Sequence, residues 1–251
     1  MSTALPWLEP GAPFPPASQA WGPDDPAPGL LAAGGDLDAP TLQRAYREGI
    51  FPWFSNDQPT LWWSPDPRMV LQVAHFRLHR SLRKTLARFA ASPGSEIRID
   101  SSFDRVMQAC AATQRPGQTG TWILPPMLHA YQQLHALGFA HSVETWIEGR
   151  LAGGLYCVAI GKMVFRESMF SRVSDASKIA LSALVAFCRA NTIEWIDCQQ
   201  KTGHLTTLGA QPVSRESFHA HVCGQVDQTP PVWRFQPLYW RQLLPRNEIS
   251  S

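Results

Sequence analysis

The chain has 251 residues, of which 44% are hydrophobic, and this is enough for one full core and a smaller second domain. Its net charge of +2 singles out no class of partner, and no apolar run approaches the roughly 20 residues of a membrane helix. The amino terminus lacks the basic and then apolar segments of a secretory signal, so we expect a cytoplasmic protein that binds no membrane.

The cysteines are odd in number and widely spaced, which is typical of reduced thiols and not of a disulfide framework or a zinc site. They are Cys110, Cys157, Cys188, Cys198 and Cys223. The histidine pairs at 75/79 and 219/221 have no acidic or thiol partner at ligand spacing. We therefore expect surface histidines and no metal.

The first 40 residues hold nine of the 22 prolines, so we predict an irregular arm. A short helix follows, capped by Asp38 or Thr41 and ending at Gly49. The next segment, 50–65, is too aromatic for a solvated linker. Its Trp62 and Trp63 belong either to the core or to a binding surface.

Helical spacing from His75 to Phe89 places leucines on one face and basic residues on the other. The stretch from Pro67 to Ser95 contains no acidic residue but six positive charges. Such a face is either simply solvated or an anion-binding surface, and the missing acids favour an anion such as a phosphate backbone.

The second half of the chain predicts a helix over 127–137 and three antiparallel strands over 141–147, 151–160 and 163–171. Ser174 or Asp175 should cap the next helix, and a strand over 192–199 should lie parallel to the third strand. This order predicts an α+β fold with an N-acyltransferase (GNAT-like) core, a mixed sheet and flanking helices. We expect a small N-terminal domain over 1–72, a catalytic domain over 73–235 and a tail over 236–251.

Acetyl-coenzyme A enzymes of that fold class hold the pyrophosphate on a glycine-rich loop at the start of the crossover helix. Here the corresponding segment, 171–177, has no glycine and contains Asp175, a carboxylate that would repel phosphate. We therefore expect an acyl donor other than coenzyme A, and no cofactor. Two alternatives to such an enzyme remain. One is an acetyl-coenzyme A acetyltransferase, and the other is a protein that binds basic amino termini without catalysis.

Ten segments in register resemble the bacterial leucyl/phenylalanyl-tRNA–protein transferase family over about residues 29–220. They are Gly-Gly-Asp-Leu (34–37), Tyr46 with Trp-Phe-Ser (53–55), Leu-Trp-Trp-Ser-Pro-Asp-Pro-Arg (61–68), Gly-Thr-Trp-Ile (120–123), Ala-His-Ser-Val-Glu (140–144), Gly-Gly-Leu-Tyr (153–156), Glu-Ser-Met-Phe-Ser (167–171), Asp-Ala-Ser-Lys (175–178), Ile-Asp-Cys-Gln (196–199) and His-Leu-Thr-Thr-Leu-Gly-Ala (204–210). The sequence departs from the family pattern at Arg166, where a glycine is usual, and at Val164, where an aromatic residue is expected.

The resemblance implies an aminoacyltransferase, without cofactor or metal, that acts as a monomer. Its donors would be Leu-tRNA, Phe-tRNA and Met-tRNA, and its acceptors proteins or peptides with N-terminal Arg or Lys, which the transfer marks for degradation. An aminoacyl ester is already activated, so the enzyme must only orient two substrates and manage one proton.

The resemblance places Asp197 and Gln199 at the reacting centre, with Glu167 beside them. Strand alternation puts Asp197 and Gln199 on one face and Cys198 on the other. We expect Asp197 to accept a hydrogen bond from the Gln199 side chain, which then aligns the amine, while Asp197 and Glu167 hold the cationic acceptor residue. Two alternatives are that Asp197 is a strand-end cap and that Cys198 is a nucleophile with His204.

The resemblance also implies the substrate-binding residues, although the aliphatic ones would serve equally well in a core. An apolar pocket for the aminoacyl side chain would involve Leu155, Met169, Leu181, Leu184 and Ile196, and Ser168 would be a further substrate-binding residue. The terminal adenosine would lie among Trp53, Trp122 and Tyr131. Phosphates of the acceptor stem would contact Arg77, Arg80, Arg83 and Lys84, which recognise tRNA by shape and charge.

Overall fold

The computed structural model describes residues 4–113, 123–200 and 203–245, except the side chain of His204. The strands in these ranges are β1 (Trp7–Leu8), β2 (Leu30–Gly34), β3 (Phe51–Pro52), β4 (Leu61–Trp63), β5 (Arg68–Gln72), β6 (Ser95–Ile99), β7 (Ala140–Ile147), β8 (Arg150–Ile160), β9 (Met163–Ser171), β10 (Trp195–Gln199) and β11 (Gln211–Val213). The α-helices are α1 (Ala39–Arg47), α2 (Arg80–Ala91), α3 (Phe103–Ala111), α4 (Pro125–Ala136), α5 (Ala176–Ala190), α6 (Gly203–Thr207) and α7 (Arg215–Gln225). Three 3₁₀ turns complete the fold, at Ala17–Gln19, Val73–His75 and Pro237–Gln242.

The smaller of two sheets is formed by the first four strands in the order β1-β2-β4-β3. Trp62 lies in its core, with no exposed surface, and its indole N–H donates to the Gly34 carbonyl at 2.9 Å. The Trp63 ring is only partly buried. Asp38, one of the two predicted caps, precedes helix α1, and its carboxylate accepts a hydrogen bond from the Thr41 backbone N–H.

The larger sheet has seven strands in the order β11-β5-β10-β9-β8-β7-β6. Strands β7, β8 and β9 form the predicted antiparallel meander, α5 crosses over, and β10 lies parallel to β9. The turn at Glu148 and Gly149 has positive φ at both residues, which suits a tight hairpin. The predicted α+β fold with an acyltransferase-like mixed sheet is thereby confirmed.

Three local predictions were wrong in detail. The basic helix begins at Arg80 and not at His75, because residues 73–75 form a 3₁₀ turn and Arg77 precedes the helix. Asp175 does occupy the cap position of α5, but its backbone is left-handed and its carboxylate accepts from the Lys178 ammonium at 2.7 Å instead of from the helix backbone. The predicted strand over 192–199 begins only at Trp195.

Two core clusters fill the fold. The first joins the smaller sheet, α1, α3 and α4 to one set of side chains from the larger sheet, and the second is built around α5. Trp240 and Leu244 near the C-terminal end belong to the second cluster. None of the helices in the described ranges has both the length and the apolar character needed to cross a membrane.

Candidate active site

Strands β9 and β10 separate at the residues that the sequence singled out. Their pairing includes Ile196 with Val164 and Asp197 with Phe165, and both strands then become irregular. On β9, Glu167 is the extra residue of a bulge against β8, and on β10 the register against β5 shifts between Asp197 and Gln199. Bulges of this kind redirect side chains, and here they direct Glu167 and Gln199 toward each other.

The Gln199 side chain is held by Glu167. Its amide nitrogen Nε2 donates to both carboxylate oxygens of Glu167, at 2.9 Å each. The prediction that this amide bonds to Asp197 was wrong, because Asp197 Oδ1 accepts from the Gln199 backbone N–H instead, at 2.8 Å. An ionised carboxylate only accepts hydrogen bonds, so while Glu167 is ionised the amide carbonyl oxygen of Gln199 points away from it. Among the described residues no group donates a hydrogen bond to that oxygen, which leaves it as an acceptor for an amine.

Glu167 is buried and lies in a network with two tyrosines. Burial raises its pKa to about 7, although hydrogen bonds from Gln199 and Tyr46 lower it. The Tyr46 hydroxyl also bonds to the Tyr131 hydroxyl, and burial, with the nearby Glu167 charge, raises the pKa of both tyrosines well above the usual value. Tyr131 has no exposed surface, so it lies beneath the site and not at its surface.

Asp197 forms an ion pair that the sequence analysis did not identify. Its carboxylate has no exposed surface and accepts from Arg68 Nε at 2.8 Å and from Arg68 Nη2 at 2.6 Å. These contacts leave Asp197 no exposed oxygen for a substrate, contrary to our expectation that it holds the acceptor residue. The sequence signal was a lone arginine that begins the otherwise apolar run Arg-Met-Val-Leu (68–71).

The predicted apolar residues lie together on the α5 side of the sheet. Those that belong to the second core cluster and have no exposed surface are Leu155, Leu181, Leu184 and Ile196. Met169, opposite Leu155 in the β8–β9 register, packs against the same cluster and is partly exposed. Ser168 is buried opposite Tyr156. The structure therefore brings the five apolar residues together in one cluster, but Ser168 lies outside it, beside a residue of the first core cluster.

Of the aromatic residues predicted around the adenosine, Trp53 is partly exposed and packs against Trp63 at 5.5 Å between ring centroids. Trp122 lies outside the described residues. At the family departures, Val164 is buried, and Arg166 is half-buried, with its positive charge near the Cys198 thiol. Burial raises the pKa of that thiol, which disfavours the thiolate that a nucleophile would need.

The basic residues form a surface of their own on α2. Arg80, Arg83, Lys84 and Arg88 line a groove of about 720 Å³ together with Leu78 and Ala87. None of these four cations forms a salt bridge with an acidic side chain in the described ranges. Arg77 is exposed, precedes the helix and does not line the groove. The groove has the charge expected of an anion-binding surface.

Comparisons with known proteins agree over nearly the whole chain. The family model described as leucyl/phenylalanyl-tRNA protein transferase matches residues 70–223, and the model of that family's N-terminal domain matches residues 35–66. A leucyl/phenylalanyl-tRNA–protein transferase of Albidiferax ferrireducens is 60% identical over 98% of this chain and 97% of its own. One from a Polaromonas species is 60% identical over 96% and 94%. The crystal structure of FemX aligns with 69% of this chain and 66% of its own, at 12% identity and a TM-score of 0.45.

Proposed function

The chain belongs to the leucyl/phenylalanyl-tRNA–protein transferase family and is an aminoacyltransferase, and we propose that its donors are Leu-tRNA, Phe-tRNA and Met-tRNA. The acceptor is the α-amino group of a protein that begins with Arg or Lys, and the added residue marks that protein for degradation. The reaction takes place in the cytoplasm on a monomeric enzyme. We also propose that the chain consists of a small N-terminal domain over 1–72, a catalytic domain over 73–235 and a tail over 236–251.

The arrangement of Gln199 and Glu167 is the observation that carries the proposed mechanism. With its Nε2 bound to Glu167, Gln199 presents its carbonyl oxygen to the attacking amine and aligns it. An α-amino group has a reference pKa of roughly 7.7–8.0, so a useful fraction is neutral at cellular pH. The amine attacks the ester carbonyl, loses one proton, and the ribose oxygen leaves with one proton gained. Gln199 is the catalytic residue, and Glu167 also attracts the cationic acceptor residue.

The donor is bound by its side chain, its adenosine and its acceptor stem. The aminoacyl side chain packs on the apolar cluster around Leu155 where that cluster reaches the surface, at the partly exposed Met169. Such a cluster tolerates leucine, phenylalanine and methionine, because one methylene discriminates by only about 1–3 kcal/mol. Trp53 and Trp122 contact the terminal adenosine, and Tyr131 supports the site from below through Tyr46. The α2 groove, with Arg77 beside it, binds phosphates of the stem.

A transfer assay tests this function. Labelled Leu-tRNA, Phe-tRNA, Met-tRNA or acetyl-coenzyme A is incubated with the protein and a peptide that begins with Arg. Label is expected on the peptide from each aminoacyl-tRNA. Label from acetyl-coenzyme A alone would identify an acetyltransferase, and peptide binding without transfer from any donor would identify a reader of basic amino termini.

The matched pair Gln199→Ala and Gln200→Ala separates alignment from folding. Gln199 is half-buried beside Glu167, whereas Gln200 is the exposed next residue. Gln199→Ala is expected to lower transfer by about 10²-fold, the scale of a lost substrate alignment. Gln200→Ala should keep transfer near the wild-type rate, and equal losses in the two variants would contradict the assignment of Gln199.

A further inference from the structure

Arg68 is the first residue of β5 and its side chain has no exposed surface. The β5 strand pairs with β10, which places Met69 opposite Gln199 and Val70 opposite Asp197. The Arg68 guanidinium reaches back across this pair of strands and binds both carboxylate oxygens of Asp197. A two-point contact of this kind fixes the orientation of a carboxylate as well as its position.

Two phenylalanine rings fix the guanidinium in turn. Its carbon Cζ lies 4.6 Å from the ring centroid of Phe51 and 4.5 Å from that of Phe218. Phe51 belongs to β3 of the smaller sheet and Phe218 to α7, so elements from separate parts of the chain meet on Arg68. Aromatic faces attract a cation that has been removed from water. Arg68 therefore has little freedom to turn away from Asp197.

Asp197 passes this orientation on to Gln199. Its Oδ1 accepts the Gln199 backbone N–H, and Gln199 has φ of 61°, a left-handed conformation that residues other than glycine rarely adopt. The carboxylate thus stabilises a backbone turn that would otherwise relax, and that turn directs the Gln199 side chain to Glu167.

We propose that Arg68 is a positioning residue for aminoacyl transfer, acting through Asp197 on the backbone turn at Gln199. This inference rests on the function proposed above. It assigns Asp197 a positioning role too, without contact to either substrate. Only Gln199 touches the attacking amine. The contacts that position it run from the two phenylalanine rings through Arg68 and Asp197 to the Gln199 backbone.

Steady-state kinetics of Arg68→Lys on the full-length protein test the proposal. Lysine keeps the charge but cannot form the two-point contact, so kcat is expected to fall by about 10- to 100-fold. The KM values for aminoacyl-tRNA and acceptor peptide should stay within about threefold, since the groups that bind the two substrates are unchanged. Asp197→Asn serves as a second variant of nearly unchanged size, with the same expectation. A KM for the peptide raised by Asp197→Asn would overturn the proposal, because Asp197 would then bind the acceptor.

A stability control separates positioning from general destabilisation. Met107→Ala removes a fully buried side chain of α3, outside the chain of contacts described here. Arg68→Lys and Met107→Ala are compared under conditions where their melting temperatures have fallen by the same amount. If Arg68→Lys then lowers kcat no more than Met107→Ala does, the proposal is wrong. The double variant Arg68→Lys/Asp197→Asn should lose no more activity than the worse single variant, because the two residues act in series.

Hydrogen exchange at the Gln199 amide gives a readout that needs no transfer activity. In Arg68→Lys this amide is expected to exchange at least about tenfold faster than in wild type, because local opening becomes easier. Met107→Ala should not change it selectively. Unchanged exchange at Gln199 in both Arg68→Lys and Asp197→Asn would overturn the proposal. If wild-type protein transfers from no aminoacyl-tRNA, the proposed function fails, and the exchange measurement still decides whether Arg68 positions the turn.

Discussion

At the scale of single residues, we expect Glu167 to control which atom of Gln199 faces the substrate. The ionised carboxylate binds the amide nitrogen and leaves the carbonyl oxygen for the amine. A protonated carboxyl group could instead donate to that oxygen, and the amide would then turn. Because burial raises the pKa of Glu167 to about 7, this change occurs close to neutral pH. Transfer should therefore decline on the acid side of pH 7.

The variant Tyr46→Phe tests this pH dependence. The Tyr46 hydrogen bond lowers the pKa of Glu167, so its removal should raise that pKa further. In the proposed mechanism ionised Glu167 is the active form, so the acid limb of kcat/KM is expected to move to higher pH, with activity recovering toward pH 9. The measurement is the pH profile of transfer to an Arg peptide between pH 5.5 and about 9.

Tyr239→Phe is the matched control for that prediction. Tyr239 packs against Phe187 and Phe235 on the C-terminal segment and is not part of the Glu167 network. Its profile should coincide with that of wild type. The ionisation of the acceptor amine affects the pH profiles of wild type, Tyr46→Phe and Tyr239→Phe equally. Any difference between these profiles therefore reflects a group of the enzyme. An unmoved acid limb in Tyr46→Phe would count against control by Glu167.

Cys198→Ala is expected to keep transfer within about twofold of wild type, because removing a small buried side chain mainly affects stability. The Cys198 side chain is 3% exposed, and burial raises the pKa of the thiol. Single-turnover transfer from Leu-tRNA measures the effect. Complete loss in a folded variant would instead support a covalent route through Cys198 with His204.

The identities of the central residues could be predicted, but their contacts could not. Resemblance and strand alternation pointed to Asp197, Gln199 and Glu167. Alternation assumes a regular strand, whereas β10 changes register after Asp197 and Gln199 is left-handed. The partner of Asp197 is 129 residues away in the chain, and no local pattern reveals so distant a contact.

At the scale of elements, the basic face of α2 should govern the salt dependence of transfer. Replacing Arg80, Arg83 and Lys84 together by Ala is expected to raise the KM for aminoacyl-tRNA. It should also reduce the slope of log(kcat/KM) against log salt by about one for each phosphate that the variant no longer binds. The measurement is transfer at several salt concentrations with subsaturating tRNA.

A control variant removes three other exposed arginines, Arg150, Arg234 and Arg241. It changes the net charge equally but leaves the α2 groove intact. Its salt slope should stay close to that of wild type. Equal slopes in both triple variants would mean that overall charge, and not this groove, attracts the tRNA.

The crossing of α5 over β8 depends on Gly153. A Cβ atom added there would lie 2.6 Å from Ala176 Cβ and 3.0 Å from the Phe170 carbonyl oxygen. Gly153→Ala should therefore lower the free energy of unfolding by about 1–3 kcal/mol, as overpacking does. Urea denaturation measures it.

Gly224→Ala provides the comparison for Gly153. Gly224 lies in α7, and an added Cβ would meet nothing within 4 Å. Alanine has the better helix propensity, so this variant should gain up to about 1 kcal/mol. If Gly153→Ala is no less stable than Gly224→Ala, the close packing of α5 on β8 does not require a glycine at residue 153.

At the scale of the whole molecule, the meander and crossover could be predicted because they are local in sequence and strongly patterned. The placement of β5 between β10 and β11 could not, since it joins strands more than 120 residues apart. This placement gives the larger sheet one of its contacts with the smaller one, because Arg68 on β5 packs against Phe51 on β3. The site therefore depends on segments from both sheets.

The C-terminal segment should contribute to global stability through Trp240. This side chain is 4% exposed and makes edge contacts with Phe89 on α2 and Phe235. Leu238, on the same 3₁₀ turn, is 54% exposed. Trp240→Ala is expected to lower the free energy of unfolding by about 3–5 kcal/mol, whereas exposed sites such as Leu238 typically change it by only about 0.5 kcal/mol. Because Trp240 shares its core cluster with Leu155 and Leu181, the same variant should also lose transfer at temperatures where wild type is stable. Thermal unfolding of Trp240→Ala and Leu238→Ala, measured together with transfer at two temperatures, tests both effects. Equal stability of these two variants would show that the C-terminal segment does not stabilise the core.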